Sequence, residues 1–116
     1  MGRPHRYCRC VAYAVVCRVS AKPGRREDLV EHMLRVAAAL EDRSENLSCL
    51  VATADDDADA VWTWELWATR EAHDAYLAEA STDPATYGLA VSGRELIAGM
   101  SPVQPLTVRG GGGLSG

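Results

Sequence analysis

The sequence predicts an α+β fold of the ferredoxin-like type, in which helices cover one face of an antiparallel sheet. One observation behind this prediction is the order of the expected elements, which is β-α-β-β-α-(α)-β. Another is the apolar content, 47% of a 116-residue chain, which is enough to give a single domain a core. The third is a strand with tryptophans on both faces, which requires a cover on each side of the sheet.

The first two predicted elements are a strand and a long helix. Residues 11–20 are mostly apolar and rich in β-branched side chains, as is typical of a strand covered on both faces. Lys22-Pro23-Gly24 ends this pattern, and helical spacing follows from residue 26 to about residue 43. The apolar positions of this helix form one stripe, which consists of Leu29, Met33, Val36, Ala37 and Leu40. His32 lies beside the stripe and is expected at the surface.

The next two predicted strands, residues 48–54 and 61–68, flank an acidic loop at residues 55–59. The second of them contains all three tryptophans of the chain. Because side chains alternate along a strand, its residues fall into two sets. One set is Val61, Thr63, Glu65 and Trp67, and the other is Trp62, Trp64 and Leu66. Helices cover only one face in this fold, so we expect a second copy of the chain to cover the other face in a homodimer.

The C-terminal part is predicted to contain a second helix and an edge strand. The second helix, residues 70–80, follows Thr69, which is a favourable N-cap residue. Residues 84–98 predict a weaker helix that is interrupted around Gly88 or Gly93. Residues 103–108 predict a short strand that Pro105 confines to an edge of the sheet. These bounds predict a basic N-terminal arm at 1–10, a domain at 11–108 and a flexible glycine-rich tail at 109–116.

Charge and hydropathy argue against several classes of partner. Residues 1–26 carry seven basic groups and no acidic group, and such an arm could contact phosphates. The remaining residues carry five basic and sixteen acidic groups, so we expect no nucleic-acid partner. No apolar run reaches the roughly 18 residues of a membrane span, and the N-terminal residues lack the pattern of a signal peptide. We therefore expect a cytoplasmic protein with no membrane partner.

The four cysteines do not predict a metal site. Cys8 and Cys10 have a spacing that is unusual for zinc, and no second pair of Cys or His completes it. Cys17 and Cys49 fall in apolar strands, where a free cysteine usually acts as a small core residue. We expect no bound metal, no other cofactor and, in a cytosolic protein, no disulfide.

Two motifs resemble those of the antibiotic biosynthesis monooxygenase family. One is Lys22-Pro23-Gly24 with Arg26-Glu27-Asp28-Leu29, and the other is Glu65-x-Trp67 with Glu71-Ala72-His73. Their order and spacing extend the resemblance over residues 11–107. The resemblance implies a dimeric α+β barrel with a pocket between the sheet and the helices of each subunit. It also implies cofactor-free oxygenation of anthrones, naphthols or quinols from polyketide pathways, in which the deprotonated substrate reacts directly with O2.

Seven residues are candidates for the site. By the resemblance, Trp67 matches a strand tryptophan that lines the pocket in several members, and Cys17 falls near the asparagine position of haem-degrading relatives. The neutral imidazole of His73 could accept a phenolic proton near neutral pH. Tyr76 lies three residues further along the same helix and could orient or protonate an oxyanion. We predict catalytic roles for His73, Tyr76 and Trp67, and substrate binding by Cys17, Trp64, Glu65 and Tyr87.

Departures from the family pattern keep other functions open. Tyr76 stands where many members have a histidine, a second histidine is absent from residues 81–83, and residues 46–48 replace a Pro-Gly pair. These differences count against haem degradation. One alternative is a cofactor-free cyclase or isomerase that works by proton transfer on a natural-product intermediate. Another is a non-catalytic dimeric domain that binds a ligand. For Glu65, the alternative to a role in the site is a salt bridge across the dimer to Arg18 or Arg94.

Overall fold

The structure of the chain, a computed structural model, describes residues 7, 8, 12–85, 88 and 92–112. The elements within these residues, in chain order, are β1 (Tyr7–Cys8), β2 (Ala12–Ala21), α1 (Arg26–Leu40), β3 (Asn46–Thr53), β4 (Ala60–Trp67), α2 (Arg70–Ala80), a 3-10 turn (Arg94–Leu96), β5 (Ile97–Met100), β6 (Gln104–Val108) and β7 (Gly111–Gly112). None of the helices in these ranges is long and apolar enough to cross a membrane.

Five of the strands form one antiparallel sheet with β2 at its centre. Strand β4 pairs with one edge of β2, and β3 pairs with the outer edge of β4. The other edge of β2 is shared, because β5 pairs with its C-terminal residues and β6 with its N-terminal residues. Two helices packed on this sheet confirm the predicted ferredoxin-like α+β fold.

The two faces of the sheet differ in what covers them. The register places Val15 and Cys49 on either side of Glu65, so these three side chains form one row on the face under the helices. The main core cluster lies on this face and consists of Cys17, Val19, Ala21, Leu29, Val61 and Leu96, whereas a smaller buried cluster of Ala12, Ala14 and Leu66 lies on the opposite face. Trp62 and Trp64 alternate with these positions along β4 and are 41% and 43% exposed on the opposite face.

Both helices begin where the sequence predicts. Helix α2 has the predicted bounds, and the hydroxyl of Thr69 accepts a hydrogen bond from the backbone N–H of Ala72 at 3.0 Å. Helix α1 ends at Leu40, three residues before the expected end. Its last carbonyls are satisfied by the N–H of Glu41, so the chain can turn toward β3 at once.

Two expectations are wrong. Residues 97 and 98, expected at the end of a weak helix, begin β5, in which Ile97 pairs with Ala21 and Met100 with Val19. His32, expected at the surface, is 3% exposed. It is covered by the chain just before the 3-10 turn, where a Cβ on Gly93 would lie 2.5 Å from His32 Nε2.

The remaining strands lie at edges. Strand β6 pairs with β2 alone among the described strands, as expected from Pro105, which is opposite Val15. Strands β1 and β7 pair with each other, Tyr7 opposite Gly112 and Cys8 opposite Gly111, a pairing that the sequence does not predict. Cys10 and Tyr87 lie outside the described residues.

Candidate active site

A cavity of about 370 Å³ lies between the sheet and the two helices. Six of the thirteen described residues that line it are aliphatic, and four carry sulfur, namely Cys17, Met33, Cys49 and Met100. The polar side chains among them are Thr63, Glu65 and His73. Its volume lies in the lower part of the range for small-molecule sites, about 300–1,000 Å³, and its apolar wall with few polar groups is typical of such sites.

A second, larger hollow of about 540 Å³ lies between the end of α1 and the start of β3. Its described lining combines small and aliphatic side chains with Glu41, Asn46 and Ser48. It brings together neither an imidazole nor an aromatic side chain. We therefore place the candidate site in the smaller cavity, where a carboxylate and an imidazole face the same apolar space.

Glu65 is held in the cavity wall by a hydrogen bond within its own strand. The indole N–H of Trp67 donates to Glu65 Oε1 at 2.9 Å. The two residues are separated by one position on β4, so their side chains leave the sheet on the same face. Trp67 is 1% exposed, which means that its N–H would have no solvent partner if Glu65 were removed.

Trp67 is also the centre of an aromatic cluster. Its ring lies 5.6 Å from the ring of His73 and 5.4 Å from that of Tyr76, measured between centroids. His73 contacts Tyr13 of β2 as well, at 5.4 Å. His73 Nδ1 is buried and has no hydrogen-bond partner in the described part of the chain, since Asp74 Oδ1 lies 3.8 Å away. The ring is therefore fixed by packing between aromatic neighbours.

The environment of Tyr76 keeps its phenol protonated. Burial raises the pKa of Tyr76, and the carboxylate of Glu65 raises it further. The guanidinium of Arg43 opposes this by lowering the pKa, and it lies over the tyrosine ring, 4.8 Å from the centroid. Arg43 is in turn paired with Glu79. A phenol in this state can donate a hydrogen bond near neutral pH but cannot serve as a base.

The two thiols of the cavity are protonated for the same reasons. Burial and then the charge of Glu65 raise the pKa of Cys17, and they raise the pKa of Cys49 to about 11. Because the thiolate is the nucleophilic form of cysteine, neither residue is activated for attack at neutral pH. Both behave as small apolar wall residues, as the sequence suggests.

The structure brings most of the predicted site residues together. Cys17, Glu65 and His73 line the cavity, Trp67 beside the wall contacts both Glu65 and His73, and Tyr76 packs against Trp67. Trp64 does not take part, because it lies on the opposite face, in a groove with Arg18 and Leu106. Arg18 pairs with Asp57 and lies on this same face, opposite to that of Glu65. Tyr87 is outside the described residues.

Sequence reasoning does not find Tyr13, Arg43 or Met100. Tyr13 contacts His73 at the site because β2 pairs with β4 in a register that puts Tyr13 opposite Trp67. Arg43 reaches Tyr76 from the loop after α1. Thr63 could have been found, because the alternation of β4 puts it on the face of Glu65.

Comparison with known proteins identifies the fold and the family. The sequence matches the antibiotic biosynthesis monooxygenase family over residues 12–82. A crystal structure from Chloroflexus aurantiacus J-10-fl, named after the same monooxygenases, is 30% identical, covers 90% of this chain and 99% of its own, and superposes with a TM-score of 0.74. No protein with a curated description matches the chain.

Two other similar structures are more distant in sequence. A mutant form of SnoaB, a cofactor-independent oxygenase from Streptomyces nogalater, is 17% identical, covers 84% of this chain and 93% of its own, and has a TM-score of 0.72. Protein SO0527 from Shewanella oneidensis is 16% identical, with coverages of 88% and 96% and a TM-score of 0.72. At these identities they show the shared fold alone. The family match and the Chloroflexus structure show more: this chain belongs to the antibiotic biosynthesis monooxygenase family.

Proposed function

We propose that this protein is a cofactor-independent monooxygenase that acts on an aromatic, polyketide-type intermediate of secondary metabolism, such as an anthrone, a naphthol or a quinol. The observation that carries the proposal is the cavity, which sets Glu65, Thr63 and His73 in an otherwise apolar wall. An aromatic ring fits such a wall, and its hydroxyl needs one of these few polar groups as a partner. Family membership and the likeness to SnoaB support an oxygenase-type function.

The reaction needs a proton acceptor and a dry pocket. Loss of a proton makes the substrate electron-rich enough to pass electrons to O2, which adds to the ring carbon. With an anthrone, the resulting hydroperoxide loses water, so one oxygen atom enters the quinone and the other leaves as water. Glu65 and His73 face the cavity and are the candidate proton acceptors, while Trp67 and Tyr76 position them.

Oxygen uptake tests the proposal directly. The purified protein, treated with a chelator, is given anthrones, naphthols and hydroquinones in a closed oxygen-electrode cell. We expect uptake above the uncatalysed rate, with a quinone product in a one-to-one ratio to the O2 consumed. Uptake no faster than without protein for the whole panel would contradict the proposal.

A cyclase or isomerase that works by proton transfer is a second candidate. It is favoured by Tyr76, a protonated phenol where many relatives have a histidine. Anaerobic assays distinguish the two functions, because a cyclase or isomerase converts its substrate equally well without O2. A non-catalytic ligand-binding domain is the third candidate, for which binding in the cavity would occur without turnover.

The proposal includes a homodimer whose subunits meet through their open sheet faces. Among the described residues, four exposed large apolar side chains lie on this face, namely Leu50, Trp62, Trp64 and Leu106. Two tryptophans side by side on an uncovered sheet are unfavourable in water. A second copy of the same face would cover them by the same apolar contacts.

A further inference from the structure

We propose that Glu65 is the catalytic base of the site, and that its charge makes the cavity select neutral hydroxyl-bearing aromatic molecules over aromatic carboxylic acids. The first half of this inference rests on the proposed oxygenase function, whereas the second half concerns binding alone. Glu65 is the only acidic side chain among the described residues that line the cavity, where no Lys or Arg balances it.

The position of Glu65 suits a base. It lies in the middle of the sheet, between Val15 of β2 and Cys49 of β3, and both of these neighbours line the cavity too. Its Oε1 accepts the indole N–H of Trp67 at 2.9 Å, and no described group donates to Oε2. One oxygen therefore fixes the carboxylate, and the other is left to accept a proton from the ligand.

The other titratable groups that face Glu65 are poorer acceptors. Cys17, Cys49 and Tyr76 are already protonated at neutral pH, because burial and Glu65 raise the pKa of each. His73 is packed between the rings of Tyr13 and Trp67. Its buried Nδ1 has no hydrogen-bond partner among the described residues, so no hydrogen bond orients the ring toward a ligand, whereas the Trp67 N–H orients Glu65.

The proposed step is general base catalysis. The ligand O–H bond breaks, its proton passes to Glu65 Oε2, and the electron pair stays on the ligand oxygen and is delocalised into the ring. Because a carboxylate is a weaker base than a phenolate, the transfer is completed as the ring carbon passes electrons to O2. The proton on Glu65 then passes to the outer oxygen of the peroxide anion, which gives the hydroperoxide and restores the carboxylate. The ring carbon next loses its own hydrogen, the electron pair of that C–H bond forms the new C=O, the O–O bond breaks, and the outer oxygen leaves as water with both hydrogens.

The same charge sets the class of ligand. A phenol can donate its hydrogen to Glu65, whereas a carboxylate in the same pose would place two like charges side by side in an apolar wall. Such a juxtaposition is strongly unfavourable because little solvent screens it. The cavity should therefore reject the acid that has the same ring system as a phenol that it binds.

Calorimetric titration with 2-naphthol and 2-naphthoic acid at pH 7 tests the selection. We expect the wild-type protein to bind the naphthol at least about tenfold more tightly than the ionised acid. In Glu65→Gln the amide oxygen can still accept the Trp67 N–H, and the acid should gain about tenfold in affinity. The control is Glu31→Gln, which removes the same charge from the exposed surface of α1 and should leave the ratio unchanged. Equal wild-type affinities, or an unchanged ratio in Glu65→Gln, would overturn the selection.

Turnover tests the base role with any substrate that the wild-type protein oxidises. We expect Glu65→Gln to lose about a hundredfold in kcat, and Glu65→Ala to recover part of its activity when formate is added as a small external base. Near wild-type turnover by Glu65→Gln, or no recovery of a folded Glu65→Ala with formate, would overturn the role. If the wild-type protein consumes no O2 at all, the oxygenase function fails, and the naphthoate titration still decides the charge selection.

Discussion

At the scale of single residues, His73 and Tyr76 differ in how directly they meet the site. Both contact the ring of Trp67, yet only His73 lines the cavity. Tyr76 lies beside the wall, where burial and the charge of Glu65 raise its pKa and Arg43 lies over its ring. The prediction of a shared helix face from their spacing is confirmed, but the spacing does not show which of the two reaches the ligand.

This difference predicts unequal effects of substitution. His73→Ala should lower turnover about tenfold, because it removes a cavity-wall ring that packs on Trp67, the hydrogen-bond partner of Glu65. Tyr76→Phe keeps the ring on Trp67 and should lower turnover by a smaller factor. Steady-state oxygen uptake gives both values, and circular dichroism checks that each variant stays folded. If both variants turn over substrate like the wild-type protein, the roles assigned to these residues are wrong.

The burial of Cys49, and to a smaller extent the charge of Glu65, makes stability depend on pH in the alkaline range. The pKa of Cys49 is raised from 9.0 to about 11 in the folded chain. Between these values the unfolded chain has lost the thiol proton and the native chain still holds it. The free energy of unfolding should therefore fall as the pH rises through this interval, and it should fall less in Cys49→Ala.

Urea denaturation at intervals from pH 8 to above pH 11 measures this difference, with a reducing agent present. Ser48→Ala is a neighbouring control, since serine does not titrate in this range. Parallel stability curves for the wild-type protein and Cys49→Ala would contradict the proposed linkage. The pKa of Cys17 is also raised, so Cys17 adds to the pH dependence of stability. Because Cys17 is present in both the wild-type protein and Cys49→Ala, its effect cancels when the two are compared.

At the scale of secondary-structure elements, local signals decide what the sequence can predict. Helix α2 has the expected bounds because Thr69 caps its first turn with a hydrogen bond of its own side chain. Strand β5 is missed because its four residues show no alternation, and two are Ala98 and Gly99. These residues are extended because they pair with the end of β2. That pairing joins residues far apart in the sequence, so the local sequence of β5 contains no pattern from which the strand could be predicted.

The contact between α1 and the 3-10 turn depends on a glycine. Gly93 has a φ of −79°, so any residue could adopt its backbone conformation. A Cβ there would lie 2.5 Å from Nε2 and 2.7 Å from Cδ2 of the buried His32 ring. Gly93→Ala should therefore lower the free energy of unfolding by about 1–3 kcal/mol, the usual cost of overpacking.

Thermal and urea denaturation measure the effect of Gly93→Ala. Gly99→Ala is the matched control, because a Cβ on Gly99 would meet nothing within 4 Å. In the double variant Gly93→Ala, His32→Ala, the clash is gone, so the two effects should not add. Equal stabilities of Gly93→Ala and Gly99→Ala would show that the turn does not pack against His32 as described.

At the scale of the whole molecule, the sequence predicts the fold and one wall of the site, but not the assembled cavity. The alternation of β4 places Thr63 with Glu65 on one face. The same alternation separates Trp64 from Glu65, since adjacent residues of a strand face opposite ways, and this is why Trp64 lies outside the site. Tyr13 and Met100 join the site through strand pairing, which the sequence leaves undetermined.

The open face of the sheet leads to the last prediction, which concerns assembly. Trp64 lies between Leu50 of β3 and Val16 of β2 in the register, in the middle of the apolar face. If this face joins two copies, the wild-type protein should sediment at twice the 12.5 kDa mass of the chain.

Trp64→Glu would place two carboxylates near the centre of such an interface, at a cost of several kcal/mol, and should yield monomers. Leu34→Glu adds the same charge to an exposed site on α1, which packs on the other side of the sheet, and should remain dimeric. Sedimentation equilibrium over a range of concentrations measures all three proteins. A monomeric wild-type protein, or a dimeric Trp64→Glu variant, would mean that the tryptophans of this face have another role.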